Sequence, residues 1–111
     1  MIHSFSCKNF YSFGDFTTVS FVVNDNAPQD NSYFKASSRV RLSKVETVIG
    51  PNASGKTNLL KVVPFLKLLI IDSFNINPSA AIPIQPFMFN GYKTKPIELS
   101  VEFEIKGNIY I

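Results

Sequence analysis

Residues 45–63, VETVIGPNASGKTNLLKVV, contain the string Gly50-Pro51-Asn52-Ala53-Ser54-Gly55-Lys56-Thr57. It fits G-x-x-x-x-G-K-[ST], a pattern that demands a buried strand entering a loop and a helix leaving it. Both are predicted here. Residues 45–49 are short, largely apolar and β-branched, as a buried strand should be. After Lys56 the run TNLLKVVPFLKLLIIDSF predicts a helix that is apolar almost all round, and so largely buried. Pro64 lacks a backbone donor and should kink that helix or end it early.

The chemistry of the pattern is anion binding. Gly50 and Gly55 sit where the backbone must turn its N–H groups inward around a phosphate. A helix leaving the loop points its positive end at the same charge. Lys56 is predicted to reach the β- and γ-phosphates as a mobile point charge. The Thr57 hydroxyl is predicted to ligate Mg²⁺, which prefers oxygen donors.

The flanks read as β-structure. IHSFSC is a short strand, Gly14-Asp15 a turn, and FTTVSFVV places Thr17, Val19, Phe21 and Val23 on one face at period two. Residues 24–44 are polar and read as an excursion or flexible loop. Its basic end, Arg39, Arg41 and Lys44, reads as a solvated edge, with a role against phosphate or DNA as the alternative. NINPSAAIPIQPF holds three prolines and predicts a loop. IELSVEFEIK alternates: Leu99, Val101, Phe103 and Ile105 face one way, and Ser100, Glu102, Glu104 and Lys106 face solvent. Gly107-Asn108 predicts a turn into a last strand.

A length of 111 residues admits one domain at most. Hydrophobic residues are 45% of the chain and charged residues only 17%, below the usual quarter, which predicts surfaces that expect a partner. The single cysteine, Cys7, excludes an internal disulfide and fits a reducing, cytoplasmic setting. The start lacks the pattern of a signal peptide, and the apolar run at 59–71 is too short to span a membrane. One histidine and one cysteine cannot assemble a nucleophilic triad, so no catalytic residue is assigned. His3 is expected to be structural.

The residues go further than the general pattern. GPNASGKTN resembles the G-P-N-G-S-G-K-[ST]-N loop of ABC-type ATPase heads, especially the SMC-like and RecF-like group. FSCKNFYSFGDFTTVSF resembles the opening of the same proteins, which often run F-x-x-x-N-F-R-S-F into a second strand. The stretch from PIQPFMFN to the end resembles the third part of that lobe in OLD-like and other bacterial defence ATPases of the AAA family. The resemblance implies a mixed α/β P-loop NTPase N-terminal lobe: antiparallel strands, a P-loop strand and one buried helix. It implies that residues 1–111 are a piece of a longer protein, since the chain stops three residues into its last strand.

It also implies a site. Gly50, Pro51, Asn52, Ala53, Ser54, Gly55, Lys56, Thr57 and Asn58 would bind ATP, with Thr57 and Gln85 at Mg²⁺. Residues near Asn9 and Phe10 would lie close to the nucleotide. Ala53 departs from the usual glycine and asks for an ordinary backbone conformation there. Tyr11 stands where the family often has an arginine. Hydrolysis in this family needs a Walker B strand, a signature motif delivered across a dimer, and a switch histidine. LLIID at 68–72 mimics Walker B, but it follows the loop helix with no return turn, so it reads as helix. The implied parent is an ATPase whose homodimerisation controls a nuclease, another effector or a DNA-directed step, with phage defence one setting. This chain alone would bind ATP with little or no turnover. The alternative is a non-enzymatic interaction or scaffold fragment with an empty loop. A small-molecule kinase or GTPase is disfavoured, because N-K-x-D and an arginine-rich lid are both missing.

Overall fold

The structure, a computed structural model, describes residues 1–28 and 30–111. It is mixed α/β. The strands are β1 (Ile2–Lys8), β2 (Thr17–Ser20), β3 (Tyr33–Lys35), β4 (Arg41–Ser43), β5 (Glu98–Ile105) and β6 (Asn108–Tyr110). The helices are α1 (Lys56–Leu60) and α2 (Val62–Lys67), continued by a π-helical turn, Leu68–Asp72, and a 3₁₀ turn, Ser73–Asn75. A four-stranded sheet runs β2-β1-β5-β6, and β3 and β4 form a separate two-stranded ribbon. Among the described residues no helix is long and apolar enough to cross a membrane. The chain divides into two compact units. One gathers Met1–Ser6, Thr17–Val48 and Ser100–Ile111; the other gathers Cys7–Phe16 and Ile49–Leu99.

In the first unit the strand readings hold in outline. Thr17, Val19, Phe21 and Val23 are half-buried while Thr18, Ser20 and Val22 are exposed, as period two requires. Met1 and Glu104 exchange both backbone hydrogen bonds, at 2.7 Å each, the signature of an antiparallel hydrogen-bonded pair. Residues 24–44 are not simply a loop. They contain the antiparallel β3–β4 ribbon, which places Phe34 opposite Leu42. Val23 N–H donates to the Arg41 carbonyl and Ser43 N–H to the Phe21 carbonyl. Three-residue strands flanked by Asn, Asp and Ser leave too little periodicity to be legible.

The expected basic edge is largely spent inside this excursion. Arg41 donates to the carbonyls of Ala27 (2.9 Å) and Pro28 (2.7 Å) and lies over the Tyr33 ring. Lys44 donates to the Asn31 carbonyl.

Glu104 was expected in solvent and is buried instead. Its carboxylate accepts from Ser38 Oγ (2.5 Å) and the Ser38 amide (3.1 Å), and it meets His3 Nε2 at 3.1 Å. His3 is itself buried, with Nδ1 3.5 Å from Glu102. Ile105, expected on the buried face, is exposed. Alternation could not foresee that the 36–39 turn covers the polar face near the end of β5. The hairpin turn also moves by one residue. Ile105 pairs with Asn108, and Lys106 (φ 51°) and Gly107 (φ 86°) form the turn, both left-handed as a two-residue type I′ connection demands.

The second unit departs further. Residues 45–49, which connect into it, form no strand, and Val45 and Ile49 are 75% and 89% exposed. An extended segment becomes a strand only where a neighbour takes its backbone groups, and among the described residues none pairs with it. The helix is also not buried all round. Leu59 and Val62 are buried, but Leu60, Ile70, Ile71 and Phe74 are exposed. It breaks at Lys61 and restarts, which puts Pro64 in the first turn of α2, where its missing N–H costs no helical bond. LLIID is helical, as read from its position.

Candidate functional site

The loop at 50–57 lies wholly in the second unit. Its shape comes from two left-handed residues, Ala53 (φ 62°) and Gly55 (φ 93°). The expectation of an ordinary conformation at Ala53 is therefore wrong. The tight wrap of the loop requires a positive φ there, and alanine adopts it at a cost of about 1–2 kcal/mol. Gly55 is required twice over. Its φ disfavours any side chain, and a Cβ would stand 2.7 Å from Ser12 Oγ and 3.3 Å from Phe13 Cζ. A Cβ on Gly50 would meet Ser54 Oγ at 2.8 Å.

These turns leave a run of donors. Among the described residues the N–H groups of Gly55, Lys56, Thr57 and Asn58 meet no acceptor; the first helical bond is Leu59 N–H to the Gly55 carbonyl, at 3.0 Å. Lys56 folds back over the loop. Its Nζ donates to the carbonyls of Gly50 (2.7 Å) and Pro51 (2.6 Å) and approaches Ser54 Oγ at 3.4 Å. A cation and several N–H groups without acceptors among the described residues thus gather on one short loop, an arrangement that suits an anion. Thr57 is exposed, and its hydroxyl has no hydrogen bond among the described residues, so it is available to an oxygen-seeking cation.

Gln85 is in the same unit. Its backbone carbonyl accepts from the Tyr11 N–H at 2.8 Å, and its exposed side chain makes no hydrogen bond among the described residues. Asn9 is not positioned as a ligand. It is buried, and its amide is wholly engaged with backbone groups. Phe10 is buried as well, 6.1 Å from the Phe65 ring. Tyr11 borders a cavity of about 210 Å³ that it shares with Lys61, Phe65 and Pro83. Lys61 Nζ lies 4.3 Å from the centre of the Tyr11 ring, which puts a cation beside this tyrosine.

Ser12 escaped the sequence reading. Its Oγ accepts from Asn58 Nδ2 at 3.1 Å and lines the approach to Gly55. A serine 43 positions before Gly55 carries no local signal of that contact.

Comparison with family models, with curated proteins and with solved structures gives no match to this chain.

Proposed function

We propose that this chain binds Mg-ATP through residues 50–58 as the N-terminal lobe of an ABC-type ATPase of the SMC, RecF and OLD group. The observation that carries the reading is the loop itself: Ala53 and Gly55 in left-handed conformations, followed by four N–H groups with no acceptor among the described residues and the Lys56 ammonium. The N–H groups and Lys56 hold the phosphates. Thr57, with Gln85, holds Mg²⁺, which would neutralise phosphate charge when bound. No residue here is assigned to activate water, and the chain alone is proposed to bind ATP with little or no turnover. The wider reading rests on the resemblance of the residue strings. A second lobe would supply Walker B, and nucleotide-driven homodimerisation would control a nuclease, an effector or a DNA-directed step such as phage defence, in the cytoplasm.

Calorimetric titration with Mg-ATP tests this, with Mg-GTP and Lys56→Ala as controls. Weak ATP binding that is lost in Lys56→Ala is the expected result. Binding that survives the substitution rules the loop out as the nucleotide site.

One observation favours the second reading, a non-enzymatic interaction or scaffold piece. The exposure of Ile49, Ile70, Ile71 and Phe74 offers apolar surface with no role in nucleotide binding.

A further inference from the structure

Asn9 is fully buried, with a left-handed φ of 54°, inside the turn at 9–14. Its side chain is saturated. Nδ2 donates to the carbonyls of Tyr92 (2.9 Å), Lys95 (2.7 Å) and Pro96 (3.2 Å), and Oδ1 accepts from the Phe87 N–H (2.9 Å). Asn9 N–H donates to the Gly14 carbonyl at 3.0 Å, which closes the turn. Tyr11 N–H bonds the Gln85 carbonyl. The 85–96 segment is therefore tied to this turn largely through one amide.

The same turn carries Ser12 and Phe13 to the phosphate loop. Ser12 Oγ takes the Asn58 amide, and the two side chains form the wall against which Gly55 sits. Gly55 opens the run of N–H donors without acceptors. A shift of the wall moves the first donor of the anion site.

We propose that Asn9 is a positioning residue for the phosphate loop: it sets the Ser12–Phe13 wall, and through it Gly55, without touching the nucleotide. This rests on the nucleotide reading above and deepens it. Small displacements of preorganised donors carry large penalties in binding sites, and groups that act through one another couple non-additively.

The test uses the full chain in a double-mutant cycle, read by Mg-ATP calorimetry and thermal melts: wild type, Asn9→Asp, Ser12→Ala and the double variant, with Lys56→Ala alongside. In Asn9→Asp the carboxyl faces three carbonyl oxygens and can donate only when protonated. At pH 8 ATP binding should weaken about tenfold, a typical coupling effect, and recover as the pH falls towards 5. Ser12→Ala alone should weaken it by about threefold. The double variant should be no weaker than Asn9→Asp. Additive losses, or a lower Tm with unchanged affinity of the folded protein, overturn the positioning role while leaving the loop as the nucleotide site. If wild type fails to bind ATP, or Lys56→Ala binds as well as wild type, the nucleotide reading falls and this inference with it. If Asn9→Asp does not fold, Asn9→Ser, which keeps one donor, carries the same cycle.

Discussion

Ala53 holds a conformation that glycine would adopt without strain, and the effect can be weighed. Relief of the left-handed strain is worth about 1–2 kcal/mol. Glycine gives back about 0.4–1 kcal/mol through the freer unfolded chain. Strain relief wins narrowly, so Ala53→Gly is expected to raise Tm by about 2–4 °C, measurable by a thermal melt; a lower Tm would show that the loop is not strained at this position. Glu104 gives a pH signature. The Ser38 hydroxyl above all, with the Ser38 amide and His3, holds its carboxyl below the usual carboxylate range. A depressed folded-state pKa contributes stability that is present above the unfolded value and lost as pH falls through the folded one. Acid melts should therefore show a loss of stability beginning below about pH 4.5, and that part of the loss should vanish in Glu104→Gln. An unchanged acid limb in the variant would remove Glu104 as its source.

At the scale of elements, the β5–β6 hairpin depends on a left-handed Gly107. A Cβ there meets only Ser37 Cβ at 3.8 Å, an ordinary contact, so backbone strain alone decides the effect. Gly107→Ala should cost about 1 kcal/mol, and Gly107→Asn clearly less, because asparagine tolerates this region; equal losses in urea melts would refute the turn assignment. β2 and β5 were legible because their residues alternate at period two, and burial follows that alternation in β2; the three-residue β3 and β4 were not legible. The helix was legible in position but not in burial. Its apolar sequence says that a partner surface is wanted, and nothing in the sequence says whether these 111 residues contain one.

At the scale of the whole molecule, the exposed apolar side chains have a measurable consequence. Ile70, Ile71 and Phe74 lie close together in sequence and are 62%, 61% and 96% exposed. Contiguous apolar exposure drives association. Sedimentation of the isolated chain should show concentration-dependent self-association, reduced by Ile71→Lys together with Phe74→Lys. A monomer throughout would count against both the scaffold reading and the need for a covering lobe.

Short-range chemistry is where the sequence by itself was decisive. The spacing of Gly50, Gly55, Lys56 and Thr57 marked the loop that we propose binds an anion, because glycine freedom and cation placement are properties of neighbouring residues. Period two marked β2 and β5 for the same reason, and β1 was marked as a short apolar-rich run. Tertiary structure alone decided the rest. It buried Glu104 beside His3, left 45–49 unpaired, bent Ala53 into a left-handed conformation, brought Ser12 from far along the chain to the loop, and tied Asn9 to the 87–96 segment. Each of these depends on which distant backbone donor or carbonyl arrives nearby, and no local pattern of residues encodes that arrival.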